Sequence, residues 1–415
     1  MPLSIAIIGS GPAGCALADR LRKKAPETRI DVIERWPAPF GLLRAGMAPD
    51  RPKDKARAKT LERILGQKNV VFWGNVELGR DVSLDELRPL YDAVALATGA
   101  PQDRRLKVAG EELPGVVTSG ALMRWLNGEA EAPPPRLGQI RSVILIGQGS
   151  VALEIARLLA KSEKELARAE LAPETAAALA AMPLKTIHVT GYRFAPDARF
   201  AAAELAALKK LARAQVQLEA DALALPPGTK PDPAAKKLLA LFKGFAKAKR
   251  DESKLAIRLH FGLRPLRFDG NDGVERVLFT RPDRLGQNLA LRAELVVSCI
   301  GFQGGVANKA GLAAPGLYVA GWAGGGARGS IADTIAQARV VADRILAEIK
   351  PQNRLGRPAL AKLLAGRGVE PVDLAGWRRI DRAEIARAAK PRPRRKIASL
   401  KELLTIARSP QGRLL

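Results

Sequence analysis

The sequence predicts an α/β protein built from two Rossmann-like dinucleotide-binding domains, and three observations predict it. The stretch "IAIIGSGPAGCALADRL" runs from Ile5 to Leu21. "VILIGQGSVALEIARLL", from Val143 to Leu159, repeats its design: an apolar run, a glycine turn, then a helical pattern. A chain of 415 residues is also too long for one ordinary core, so two or three domains are expected.

The elements follow in order. Ile5–Ile8 suits a buried parallel strand. In Gly9-Ser10-Gly11-Pro12-Ala13-Gly14, Gly9 permits the tight turn and Gly11 lets the backbone approach a pyrophosphate. Gly14 allows the helix to pack closely on the strand. The helix N-terminus offers free N–H groups and a partial positive charge to phosphate. "RIDVIER" is the next strand. Glu34, near its end, lies about 20 residues past Gly14, where a carboxylate takes the ribose hydroxyls of an adenosine. In the second copy, Gly147-Gln148-Gly149-Ser150-Val151-Ala152 carries alanine for the third glycine. Its following strand, "KTIHVTG", has no acid and runs into Gly191-Tyr192-Arg193. An arginine there points to a 2′-phosphate, as in NADP, or is a plain solvent-facing loop residue. Two such sites suggest a flavin on the first and a nicotinamide on the second, with the cofactors carrying the redox chemistry.

"YDAVALATGA" (91–100) is another strand, ending at Thr98-Gly99 where backbone can meet a cofactor. "EAPPPR" (131–136) reads as a stiff connector. Residues 160–182 and 201–250 are Ala/Lys/Leu-rich and read as helical, broken by "PPGTKPDP" (226–233). "LAIRLHFGLRPLRFDGNDGVERVLFT" reads as a β-meander, and "AELVVSCIG" as one more buried strand. "LYVAGW" is a strand, and "GGGARGS" opens a long helix at Ile331 whose N-terminus either faces the flavin or is an ordinary turn. A basic tail follows. The first domain is therefore discontinuous.

Composition narrows the class. The chain is 47% hydrophobic, without the run of about 18 uncharged apolar residues that a membrane span needs. Met1 is followed almost at once by "LSIAIIG", so no signal or transit peptide is expected and a cytoplasmic protein is the simplest reading. Cys15 and Cys299 form no C-x-x-C pair, which argues against a disulfide framework, a dithiol centre or a cysteine metal site. Lys and Arg number 68 against 42 Asp and Glu, a net charge of +26. That excess either steers acidic partners or is a solvated basic surface. Aromatics make up 4% and no nucleic-acid module is present, so no nucleic-acid partner is expected.

Beyond the glycine motifs, the chain resembles the adrenodoxin reductase-type ferredoxin–NADP reductases. "GSGPAG", "PFGLLRAGMAPDRPKDK", "FWGNVELGRDV", "YDAVALATGA" and "GVVTSGALMRWLNG" fall in that family's order. So do "IGQGSVALEIAR", "GLYVAGW", "EPVDLAGW", "RRIDRAEI" and "KPRPRRK". The resemblance implies a glutathione reductase-like fold, with an FAD-binding domain at 1–104 and 296–350 and an NADP-binding domain at 105–295. Residues 351–415 would be a basic extension packed on the FAD domain. FAD is expected at Gly9, Gly11, Pro12, Ala13, Gly14 and Glu34. Leu42 and Leu78 would line its site, and Trp322, Gly329, Ser330 and Ile331 would close it. NADP is expected at Gln148, Gly149, Ser150, Val151, Arg193 and Glu204, with Gly329 also on the nicotinamide side.

Four positions depart from the family. Tyr192-Arg193 stands for its two adjacent arginines, leaving one guanidinium and a ring that can stack on adenine. Arg51 replaces a histidine, Gly324-Gly325 replaces Lys-Arg, and the segment before "GLYVAGW" is short.

The implied activity is hydride transfer from NADPH to FAD, then single electrons to an acidic ferredoxin-type iron–sulfur protein, by a monomer. No nucleophile, metal ligand or other side chain of the chain is assigned a chemical step. Asp50 is the acid to watch near the flavin, or else a turn residue. His188 and His260 read as core or sheet-face residues. Two rival readings remain: an NADH-preferring flavin oxidoreductase or an arm of a larger complex, and a basic nucleotide-fold binding protein without turnover.

Overall fold

A computed structural model describes residues 1–218, 223, 231–282, 287–304, 314–324, 326 and 329–409. The short apolar runs form strands, and the chain visits two parallel sheets in turn. Ser4–Ile8 (β1), Arg29–Glu34 (β2), Val70–Gly74 (β3) and Ala93–Leu96 (β4) come first. A crossing strand, Gln102–Asp103 (β5), leads to Val116–Thr118 (β6), Ser142–Ile146 (β7), Thr186–Thr190 (β8), Ala214–Gln217 (β9) and Leu255–His260 (β10). Arg264–Asp269 (β11), Arg276–Thr280 (β12) and Asn288–Arg292 (β13) form an antiparallel layer. Leu295–Ser298 (β14), Phe302–Gln303 (β15) and Leu317–Val319 (β16) follow.

The first sheet has the order β16-β4-β1-β2-β3, and the second β6-β14-β7-β8-β10-β9. Every pairing within them is parallel. Two-sided burial explains the unbroken apolar runs: β1, β4 and β14 are buried at every residue. β5 and β15 pair antiparallel with each other. The outward and returning connections between the sheets thus lie side by side.

Helix Pro12–Lys24 packs along helix Ile331–Glu348, so the return segment closes on the first motif. Arg20 clamps Asp343 across that seam with two bonds of 2.8 Å. Helices Leu374–Ala386 and Leu400–Arg408 bury Trp377, Ile380, Leu403 and Ala407 in the same core as Ile5, Ile7 and Leu17.

Three expectations change. The boundary drawn at 295/296 cuts β14, which lies between β6 and β7 in the second sheet; return to the first sheet comes with β16. "LAIRLH" is a strand of the parallel sheet, so the meander is only β11–β13. The segment 201–250 is not wholly helical, because Ala214–Gln217 pairs with β10 as an edge strand. Its alanine-rich composition hides it, and pairing overrides weak local propensity. The break at 226–233 lies outside the described residues up to 230, as does most of the shortened segment before "GLYVAGW".

Candidate functional site

The first glycine turn shows which constraints come from the protein. A Cβ on Gly14 would lie 1.9 Å from the Gly9 carbonyl oxygen, and one on Gly9 would lie 2.5 Å from that of Ala97. Both glycines are required by packing. Gly11 is different. It N-caps helix Pro12–Lys24 with an extended backbone and no side-chain cap, and a Cβ there meets nothing within 4 Å. The buried Ser10 donates from its N–H and hydroxyl to Glu34 Oε2 at 3.1 and 2.7 Å. The Trp36 N–H donates to Oε1 at 3.3 Å. The carboxylate at the end of β2 is thereby fixed beside the turn.

The second turn repeats this layout. A Cβ on Gly147 would lie 2.3 Å from the Cys299 carbonyl oxygen. Gly149 N-caps helix Ser150–Leu159 with an extended backbone, no side-chain cap and nothing within 4 Å of a Cβ. Register aligns the two sites: Ile8 pairs with Ile33 and Ile146 with Thr190, so Gly191 stands where Glu34 stands in the first copy. Gln148 takes the place of Ser10. Its amide accepts from the Arg193 N–H at 3.1 Å and donates to the Arg193 carbonyl at 2.9 Å, fixing the loop. Ser150 and Val151 form the first turn of the helix.

A loop joins the two turns. Gly41 sits over Gly11, where its Cβ would lie 3.4 Å from the Gly11 Cα, and the chain then runs to Asp50 and Arg51. Asp50 is locked to Arg157 by two bonds of 2.8 Å, with Lys161 at 3.4 Å. Burial opposes its ionisation, yet Arg157 holds its carboxyl below the usual range. Glu204 is buried, and both oxygens are taken by guanidiniums, one from Arg157 and one from Arg51. It ties the joining loop to the second domain and offers no free carboxylate. Arg51 also approaches Glu154 at 3.3 Å.

Other expected residues fall as follows. A Cβ on Gly321 would lie 2.7 Å from the Ala13 Cβ, which brings Trp322 to the first turn. Helix Ile331–Glu348 does start where expected, but Ser330 and Asp333 cap it reciprocally. With its own carboxylate there, with Gly329 just before and Ile331 just after Ser330, it differs from the two glycine-capped termini. Leu42 opens the short helix Leu42–Ala45, and Leu78 follows β3, packed against the cluster of Ile33, Val76 and Val82. His188 Nδ1 and His260 Nε2 are 2.9 Å apart on neighbouring strands; burial, then His260, pushes His188 down to about 3. They form a sheet pair.

Beside Glu34 lies a small cleft, lined among others by Trp36, Arg44, Asn127, Lys396 and Leu403. Lys396 and Arg394 belong to the basic extension expected to pack on the first domain, and here these two charges are paired and buried rather than solvated. Lys396 is buried, with its ammonium donating to the Arg44 carbonyl at 2.6 Å. Arg394 pairs with Asp381 at 2.8 Å and Glu384 at 3.0 Å. Glu384 is fully buried; burial would raise its carboxyl, but Arg44 holds it down to about 2. Charge in the sequence was the signal, but its partners are distant in the chain. Trp36 and Pro37, directly after Glu34 and Arg35, were lining residues within reach of local reasoning.

The residues fit two dinucleotides. Gly11 and Gly149 are glycines that nothing among the described residues requires, each at an uncapped helix N-terminus suited to pyrophosphate. Thr98 Oγ1 and Ser298 Oγ, buried without a partner among the described residues, stand at the ends of the adjacent strands. A chain with two such cradles is an oxidoreductase of the two-dinucleotide flavoprotein class.

The comparisons narrow the class. The family described as pyridine nucleotide-disulphide oxidoreductase matches residues 3–244. Human mitochondrial NADPH:adrenodoxin oxidoreductase is 34% identical over 97% of this chain and 91% of the relative. A probable ferredoxin/ferredoxin–NADP reductase of Mycobacterium leprae is 33% identical over 98% and 78%. The structure of Mycobacterium tuberculosis FprA in complex with NADPH aligns with a TM-score of 0.90 and 30% identity over 99% of this chain and 100% of that one. This chain belongs to the pyridine nucleotide-disulphide oxidoreductases, in their adrenodoxin reductase-type branch of FAD- and NADP-dependent ferredoxin reductases. The disulphide of the family's description has no counterpart here: Cys15 and Cys299 are buried free thiols, and burial raises both.

Proposed function

We propose that this protein is a ferredoxin–NADP(+) reductase that passes electrons from NADPH, through FAD, to an acidic ferredoxin-type iron–sulfur protein. The observation that carries it is the pair of N-capping glycines, Gly11 and Gly149, left open on one chain and linked by the loop whose Asp50 is locked to Arg157 of the helix that Gly149 caps. When bound, the cofactors supply hydride transfer from nicotinamide to flavin and single-electron delivery onward. The chain's own part is to hold and screen them. In this reading Gly9–Gly14 and Glu34 hold the adenosine diphosphate of FAD, and Trp322 and Gly329–Ile331 lie towards its ring. Gln148–Val151 and Arg193 hold NADPH. Glu204 acts through Arg51. A net charge of +26 supports the acidic partner, and free buried cysteines support a cytoplasmic setting.

The test compares acceptors. Reduction of an acidic ferredoxin needs docking, whereas reduction of a small dye does not. Between 0.1 M and 1 M salt the Debye length falls from about 10 Å to about 3 Å. Ferredoxin reduction is expected to slow over that range while dye reduction changes little. Identical salt curves for the two acceptors would remove the docking surface from the reading.

A further inference from the structure

The loop that replaces the acid in the second site carries an exposed aromatic. Tyr192 is 53% exposed, beside the position that register gives to Glu34 in the first site. Two guanidiniums lie against its ring. The Arg193 carbon is 5.2 Å from the ring centroid, and the Arg264 carbon is 5.6 Å from it. Among the described residues neither arginine pairs with a carboxylate. Both guanidiniums are therefore available to an anion.

Arg264 does not reach that ring by chance of a long side chain. It opens β11, immediately after a loop sewn to the Tyr192 segment. The Leu263 N–H donates to the Gly191 carbonyl at 2.9 Å, and the Gly262 N–H donates to the Arg193 carbonyl at 3.1 Å. Gln148, in the glycine turn, grips the same Arg193 peptide from the other side. Three loops are thus tied together: the glycine turn through Gln148, the Tyr192-Arg193 segment, and the loop that leads into Arg264.

We propose that Arg264 is a specificity residue of the pyridine-nucleotide site, acting with Arg193 as a two-guanidinium receptor for an adenosine 2′-phosphate, with Tyr192 as the spacer that holds both. A phosphate monoester carries nearly two negative charges and three acceptor oxygens. One guanidinium satisfies part of that, and a second from another strand completes it in the fork geometry that phosphate favours. The ring orders both side chains beforehand, which lowers the entropy lost on binding. This rests on the reading that the second turn takes NADPH.

The test uses FAD-loaded protein and calorimetric titration with 2′,5′-ADP and with 5′-ADP, which differ only in the 2′-phosphate. Wild type is expected to prefer 2′,5′-ADP. Arg264→Ala should weaken 2′,5′-ADP roughly tenfold, at the low end for a charged hydrogen bond in an exposed site, and leave 5′-ADP within about twofold. Arg264→Lys should recover part of the loss, and Arg193→Ala with Arg264→Ala should erase the preference. Unchanged FAD content and thermal midpoint confirm that the exposed substitution leaves the fold intact. Equal weakening of both ligands, or none, overturns the role of Arg264 while the NADPH reading stands. A wild type that binds both ligands equally overturns the NADPH reading and this inference with it.

Discussion

The two glycine turns share a backbone plan and differ in what their side chains hold. In each, the first glycine presses on the neighbouring strand and the middle one stands open over a helix N-terminus. In the first, Ser10 secures a carboxylate, Glu34. In the second, the register position of that carboxylate is Gly191, and Gln148 secures a backbone peptide that carries Arg193. Under the proposed function, the shared part serves what two dinucleotides have in common, the pyrophosphate, and the divergent part serves what distinguishes them, a ribose with free hydroxyls or one with a phosphate.

The sharpest way to break the comparison is at the third glycine. Gly14→Ala places a Cβ against the Gly9 carbonyl, and backbone must move. Overpacking of this kind costs about 3 kcal/mol. The expected result is a large fall in thermal midpoint. The counterpart Ala152 is already fully buried, so Ala152→Gly should cost only about 1 kcal/mol from helix propensity. Denaturant unfolding of both variants measures the contrast.

The middle glycines separate the two cofactors. Gly11→Ala and Gly149→Ala meet open space on extended backbone, so both variants should fold with near-native stability. Gly11→Ala should purify without its flavin colour. Gly149→Ala should stay yellow and bind NADPH at least tenfold more weakly. Loss of flavin from both would mean that the turns are not independent.

The narrowest effect, confined to the choice between two nucleotides, sharpens the divergent part. Arg193→Ala should remove about 1.5–3 kcal/mol of preference for NADPH over NADH, as expected for one charged hydrogen bond, and leave NADH turnover nearly intact. Steady-state kcat/KM for both nucleotides reads it. Equal loss with both would make Arg193 a structural loop residue.

Local patterns carried much of this into view. Strand, glycines, helix and acid lie within one βαβ unit, so spacing alone placed Gly11 and Glu34. Arg193 was accessible because it follows the second strand directly. What remained hidden depends on distant pairing. Arg264 meets Tyr192 only because β10 and β8 are neighbours. Glu204 is neutralised by Arg51 and Arg157, from two other segments. Lys396 belongs to a charged run that reads as solvated, yet it is buried beside Lys55, Arg44 and Glu170. The edge strand Ala214–Gln217 was lost in an alanine-rich stretch whose structure is decided by its neighbour.

The central claim is that one turn holds a flavin and the other holds the nucleotide that reduces it. The most direct measurement is the visible spectrum of the purified protein during anaerobic titration with NADPH. The account predicts a yellow protein with oxidised-flavin bands that bleach as NADPH is added. A protein that stays colourless after FAD is supplied, or a yellow one that NADPH does not bleach, would contradict it.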